Sequence, residues 1–224
     1  MINYLGKVMT IFFKDLLSEF RTKAVASSVL LFAILVIIIF NFAFESDSDT
    51  IGLVAPGVLW VTFTFAGVLS MNRTFVVEKE KGCLEGLMLC PVSRDVLYWG
   101  KMISSLVLML IIEAVVFPIF LILFDLPLWM PRLAIVALLG TLGFASVGTL
   151  FSALAANTKA RDMALPIIFF PVVVPVIIAA VKATDLILNS GTWHEMSSWL
   201  EILIAFDVIF LVVSALVFEF VIEE

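Results

Sequence analysis

Two carboxylates stand where carboxylates are costly. Glu113 lies near the middle of the apolar run Met102–Phe124, and Asp207 about a third of the way into Leu200–Ile222. An ionisable group within hydrocarbon marks a functional position by default. Each fits two chemistries: a polar or proton-carrying pathway, or a protonated carboxyl that hydrogen-bonds a neighbouring helix. Glu219 sits close enough to the end of its run to reach an interface and carries little weight. Other reactive types are sparse. There is one histidine, His194, beside Trp193, so no Ser-His-Asp set, HExxH or metal cluster is encoded. Cys83 and Cys90 form no CxxC and read as reduced side chains on a helix surface. Gly100-Lys101 is followed by Met102, without the upstream glycine or the hydroxyl residue of G-x-x-x-x-G-K-[ST]. The chain reads as a non-enzyme without a nucleotide site of its own, and no catalytic residue or metal ligand is assigned.

The elements that must position these groups are set by composition. Of 224 residues 63% are apolar and 14% charged, against about 25% charged in soluble domains. That excludes an ordinary soluble enzyme, a disordered chain and a disulfide-stapled secreted domain. A net charge of −6 argues against nucleic acid as partner. A membrane-spanning helix needs about 20 mostly apolar residues, and six runs qualify: 24–44, 51–71, 102–124, 133–156, 163–181 and 200–222. The expected fold is all-α, a polytopic membrane protein with residues 1–23 as an interfacial helix and 24–224 as a six-helix transmembrane domain. The first span exceeds a signal-peptide core and no small-x-small site follows it, so it is expected to stay.

Basic residues set the orientation. Eleven of the 13 lie on one side; the other has only Arg132 and Lys182, with an acidic first loop at Glu45, Asp47 and Asp49. Both termini are therefore expected in the cytoplasm, with Trp99, Trp129, Trp193 and Trp199 at the interfaces. In residues 2–22, Ile2, Leu5, Met9, Phe12, Leu16 and Phe20 recur at helical spacing, opposite Lys7, Lys14, Ser18 and Arg21. A helix with one apolar and one basic face should lie in the headgroup plane, among lipids. In the fourth span Ala137, Thr141, Ala145, Thr149 and Ala153 make a small-residue face, with Gly148, Ser152 and Ala156 beside it. Such a face packs helices closely, within one subunit or across a homodimer. Pro166, Pro171 and Pro175 should bend or break the fifth span. Lys182–Trp199 is too polar to cross and is expected to hold a short interfacial helix.

The longest cytoplasmic segment, 72–101, places Leu84, Leu87 and Met88 on one strip of a short helix that Pro91 ends. Such a knob suits docking into a partner's groove, or it is simply a solvated hairpin. Its pattern Glu-x-x-x-Gly-x-Leu-Glu-x-Leu-x-x-x-Pro-x-x-Arg, from Glu78 to Arg94, resembles the coupling-helix region of type-2 ABC exporter permeases. Tyr4-Leu-Gly-Lys-Val, Phe13-Lys-Asp-Leu-Leu-Ser-Glu-Phe-Arg-Thr-Lys23, Phe40-Asn-Phe-Ala-Phe44 and Ala55-Pro-Gly-Val-Leu-Trp60 narrow the likeness. With the six-span layout, essentially the whole chain resembles the haem exporter protein B family, the permease subunit of the cytochrome c maturation system.

The resemblance implies a bacterial inner-membrane permease, usually two copies with two separate ABC ATP-binding subunits, beside other haem-handling membrane subunits. ATP would then sit on the partner, and haem would be cargo rather than a cofactor of this chain. It also implies that Glu78, Glu80, Gly82, Leu84, Glu85, Leu87, Pro91 and Arg94 touch or orient the ATPase. A haem-linked protein invites an axial-ligand role for His194, but a lone loop histidine reads as an ordinary surface residue. Two rival functions fit the residues: a proton-coupled secondary carrier using Glu113 or Asp207, and a non-transporting scaffold that remodels a haem-bearing neighbour.

Overall fold

A computed structural model describes residues 4–22, 24–44, 48–80, 92–127, 130–156, 161–189 and 191–223, with side chains placed except at 22, 24, 25, 48–51, 72–80, 156, 161–165, 222 and 223. Their regular structure is helical throughout: α1 (Tyr4–Thr22), α2 (Ala24–Phe44), α3 (Ser48–Glu80), α4 (Arg94–Leu123), α5 (Pro131–Ala156), α6 (Arg161–Leu188) and α7 (Trp193–Glu223). The six helices after α1 are long and apolar enough to cross a membrane. An even number of crossings puts the two ends of this bundle on one side.

The helices run further than hydropathy alone suggests. α3 has 33 residues and α4 has 30, about 45–50 Å at 1.5 Å per residue, against about 30 Å of hydrocarbon. The segment expected as a loop over 72–101 is therefore helical at both its ends, and only residues 81–93 separate α3 from α4. Charged residues halt a span, not a helix. The three prolines of α6 do not break it either, since the helix is continuous from Arg161 to Leu188. In lipid no water replaces a lost backbone bond, so leaving the ladder costs more than tolerating a few missing donors. No separate interfacial helix follows among the described residues: α7 begins at Trp193, with four residues between it and the end of α6. Thr192 and Glu195 start it as a capping box, with the Thr192 N–H and Oγ1–H donating to Glu195 Oε2 at 3.1 and 2.8 Å. At the end of α4, Asp125 takes a left-handed φ of 52° and the Leu126 N–H reaches back to the Leu121 carbonyl at 2.8 Å. That is a helix stop more often made with glycine.

α5 is the hub, packed against α3, α4, α6 and α7. Its glycines serve as seats for side chains of these neighbours. A Cβ on Gly140 would run into the Trp60 ring, one on Gly143 would lie 2.7 Å from Asp207 Oδ1, and one on Gly148 would overlap Met71 Sδ. The small-residue face thus serves packing within the chain: Ala137, Thr141, Ala145, Thr149 and Ala153 are all buried, as are Gly148 and Ser152. Close approach of backbones replaces the hydrophobic drive that lipid cannot supply. Trp60 also donates from Nε1 to Thr184 Oγ1 at 2.8 Å, tying α3 to α6.

Candidate functional site

Two regions hold the polar chemistry, one where α1 crosses the start of α4 and one at the middle of the bundle. α1 meets the protein along the row Tyr4, Val8, Ile11 and Asp15, spaced four, three and four residues apart. This row lies beside the predicted apolar stripe. Leu5, Met9 and Phe20 of that stripe are exposed, while Phe12 and Leu16 are half-buried; Ile2 lies outside the described residues. The outward apolar groups suit a lipid face, and the docking row needs only the first turns of α4.

That docking is close. A Cβ on Gly100 would lie 2.7 Å from the Ile11 side chain, so glycine is what lets the two helices touch. Tyr4 donates to Asp95 Oδ2 at 2.7 Å. Partial burial and this bond to a carboxylate push the Tyr4 phenol up to about 12. Deeper in, Lys101 is fully buried, and its Nζ lies 3.5 Å from Asp15 Oδ2, which also accepts from Ser104 Oγ at 3.4 Å. Asp15 Oδ1 faces Lys14 at 2.8 Å. The sequence reading took Lys101 as one of the basic residues on the cytoplasmic side and as a failed match to a phosphate-binding loop, and did not single out Asp15. A basic residue seven positions into a helix that becomes a span was the available signal for Lys101. Its partner, 86 residues away, left none.

Arg94 opens α4 and is half-buried. Glu78 and Glu80 lie on the last turn of α3; their side chains, and the whole of Gly82, Leu84, Glu85, Leu87 and Pro91, lie outside the described residues. The two cysteines fall there as well. Segment 81–93 therefore joins two helices that each continue through the bundle, and α4 carries α1 on its first turns.

At mid-bundle the two acids sit on different sides of α5. Thr141 donates from Oγ1 to Glu113 Oε1 at 2.5 Å, joining α5 to α4. Glu113 is 7% exposed, and its Oε2 has no hydrogen-bond partner among the described residues. Asp207, 3% exposed, is seated on Gly143, and neither of its oxygens has a hydrogen-bond partner there. Thr141 and Gly143 are two residues apart, so both acids meet α5 at nearly one depth. Glu113 also lies between two cavities. One, of about 10 Å³, faces Phe63, Ala66 and Gly67 of α3. The other is an outward cleft of about 240 Å³ between α4 and α5.

His194 is exposed at the start of α7. Its neighbour Trp193 lies under Arg132, whose Cζ is 5.4 Å from the ring centroid, a cation–π contact at a span boundary. No group of three or more His, Cys, Asp or Glu residues able to hold a metal occurs among the described residues.

Comparison with known proteins gives a consistent picture. A family model described as CcmB protein matches residues 6–223. The chain is 29% identical over 156 residues to a heme exporter protein B of Rhodobacter capsulatus, covering 66% of this chain and 69% of that one. It is 28% identical over 160 residues to the heme exporter protein B of Pseudomonas aeruginosa, covering 71% and 72%. The protein of that name from Haemophilus influenzae is 27% identical over 169 residues, covering 75% and 76%.

Proposed function

The chain belongs to the CcmB protein family, and on that premise we propose that it is the permease subunit of an ABC-type complex in a bacterial inner membrane. The complex serves cytochrome c maturation, exporting haem or releasing it from partner subunits, with ATP hydrolysed on a separate chain. The observation that carries this reading is the family match over residues 6–223, together with relatives named heme exporter protein B. The sequence supports a separate ATPase because it contains no phosphate-binding loop of its own. The excess of Lys and Arg on the side of segment 72–101 supports placing that segment in the cytoplasm.

The mechanism follows from helix length. ATP-driven closure of the partner subunits pushes on segment 81–93, and the push enters α3 at Glu80 and α4 at Arg94. Helices are stiff, so motion at Arg94 is delivered 19 residues along α4, about 29 Å, to Glu113 and its bond with Thr141. α1 rides on the same turns of α4 through Tyr4–Asp95 and Asp15–Lys101, so it moves with the coupling end. The permease works as two copies, with haem as cargo rather than a bound cofactor, beside other haem-handling membrane subunits.

The test is affinity purification from bacterial membranes, with haem and ATPase activity measured on the product. An ATP-binding subunit is expected to co-purify, and a Glu80→Lys/Leu84→Asp variant to lose it while still inserting in the membrane. Absence of any ATPase, combined with normal c-type cytochromes after deletion, overturns the reading.

A further inference from the structure

α1 divides its surface into three arcs. Tyr4, Val8, Ile11 and Asp15 face α4, while Leu5, Met9, Phe13, Leu17 and Phe20 are exposed on a second arc. The remaining arc carries Lys7, Lys14 and Arg21. They are seven residues apart, a spacing that a straight helix keeps on one stripe with a drift of about 20° per repeat. Lys14 and Arg21 are exposed and Lys7 is half-buried. The two carboxylates of α1 lie off the stripe: Asp15 faces α4, and Glu19 accepts from the Ala26 N–H at 2.8 Å. An apolar arc of this kind sinks into the acyl boundary of a leaflet and leaves an adjoining basic stripe at the level of the lipid phosphates. A protein docked on the stripe would have to share it with lipid on the next arc, whereas a membrane surface satisfies both arcs at once. Charge then selects the lipid: an anionic headgroup, favoured about fivefold for each basic residue near the surface.

Asp15 joins this stripe to the docking row. Its Oδ1 stands 2.8 Å from Lys14 Nζ, the length of a well-formed ionic hydrogen bond. Its Oδ2 stands 3.5 Å from Lys101 Nζ and 3.4 Å from Ser104 Oγ, both long. The carboxylate thus leans towards the exposed lysine and away from the buried one. The energies run the other way. The Lys14 side chain is 41% exposed, and a pair so open to water contributes little. Lys101 is fully buried, so a closer carboxylate relieves more of its desolvation. An anion that competes for Lys14 has little to displace, and it leaves Asp15 to close on Lys101.

We propose that the stripe of Lys7, Lys14 and Arg21 binds phosphates of anionic phospholipids, and that a phosphate taking Lys14 hands Asp15 over to Lys101, fastening α1 onto α4. Lipid charge then regulates the fit between α1 and the first turns of α4. Those turns also receive the push on segment 81–93, so anionic lipid stiffens the coupling end. That consequence rests on the functional reading above; the exchange at Asp15 does not.

The experiment reconstitutes the chain, with Ile11→Cys present and Cys83 and Cys90 replaced by serine, in vesicles of phosphatidylcholine alone or mixed with phosphatidylglycerol. Ile11 is buried against Gly100, so uncharged N-ethylmaleimide reaches it only when α1 lifts. Rates are divided by those of Thr10→Cys, exposed on the same helix, which cancels the effect of surface charge on the thiol itself. Phosphatidylglycerol should lower the normalised rate about fivefold, the contribution of one basic residue at an anionic surface. Lys14→Gln should label as slowly in phosphatidylcholine as the unchanged chain does with phosphatidylglycerol, and added phosphatidylglycerol should slow it by less than about twofold. Lys14→Arg should keep the full response. Arg21→Gln, which weakens the lipid's hold about fivefold without touching Asp15, should shift the response to higher phosphatidylglycerol content and leave its extent unchanged. Lys14 is exposed, so none of these outcomes depends on a core substitution. A rate indifferent to phosphatidylglycerol, a response that survives Lys14→Gln, faster labelling of Lys14→Gln in phosphatidylcholine, or the same slowing by inorganic phosphate in phosphatidylcholine vesicles overturns the proposal. Neither nucleotide nor partner is present, so the labelling reports on the exchange alone. The consequence for coupling is read separately, as the dependence of ATP hydrolysis by the purified complex on phosphatidylglycerol.

Discussion

The hold of α1 on α4 is a measurable quantity. At 3.5 Å, the Asp15–Lys101 attraction is about 5 kcal/mol at an effective dielectric of 20. Removing one member of a buried pair costs about 3–5 kcal/mol, because the survivor keeps its desolvation penalty after losing that attraction. In Asp15→Ala the ammonium of Lys101 remains under α1, and lifting α1 is the direct way to rehydrate it. The Tyr4–Asp95 bond and the close contact at Gly100 oppose that motion, but burial of Val8 and Ile11 adds little, since they would move from protein into lipid rather than into water. An opening made easier by about 3 kcal/mol is roughly a 150-fold change in population. The assay is maleimide labelling of an Ile11→Cys variant with Cys83 and Cys90 replaced by serine. Ile11 is 6% exposed beneath the crossing at Gly100, so it reacts only when α1 lifts. Asp15→Ala should raise the labelling rate about 100-fold, and Lys101→Met in the same chain should bring it back to within about fivefold, because the buried charge itself is gone. A rise below threefold, or a double variant as reactive as the single one, refutes the argument.

Four further outcomes follow from the same geometry. Gly140→Ala should destabilise most among the glycine seats on α5, by about 2–3 kcal/mol, since its Cβ meets a Trp60 ring already fixed by Thr184; thermal unfolding in detergent with and without Trp60→Phe checks this. Gly148→Ala should cost less, because its Cβ meets the flexible end of Met71. The Tyr4 phenol, with its folded pKa raised to about 12, contributes docking that is full below pH 10 and lost as pH rises towards 12; the wild-type minus Tyr4→Phe ultraviolet difference titration should show it, and Asp95→Asn should move that midpoint back towards 10. Asp125→Gly should raise stability by about 0.5–1 kcal/mol, read as a higher midpoint of unfolding, because glycine takes φ of 52° without strain.

The membrane class, the six spans and the two intramembrane acids could be read from residue order, because hydropathy over about 20 residues reports directly on the lipid slab. Hydropathy says nothing beyond the slab, and so the helical ends of α3 and α4 were expected as loop. Thr192-x-x-Glu195 is a capping pattern that places the start of α7, a signal the reading of 182–199 from polarity alone did not use. Of the bend or break expected from the three prolines of α6, the break does not occur, because lipid offers the freed backbone groups no water. Thr141 was read as a small packing residue, yet it is also the partner of Glu113, and only the register between α4 and α5 reveals this. Asp15–Lys101 and Trp60–Thr184 join positions 86 and 124 residues apart, and one chain without its relatives' covariation holds no trace of either.

The seats on α5 have a bearing on how the protein is made. Gly143 receives Asp207 from α7, roughly 60 residues later in the chain, which a ribosome takes on the order of 3–12 s to synthesise. Over that interval α5 can be in the membrane with a notch on one flank that only α7 can fill. A nascent chain thus carries an unfilled seat within the bilayer until its last helix arrives.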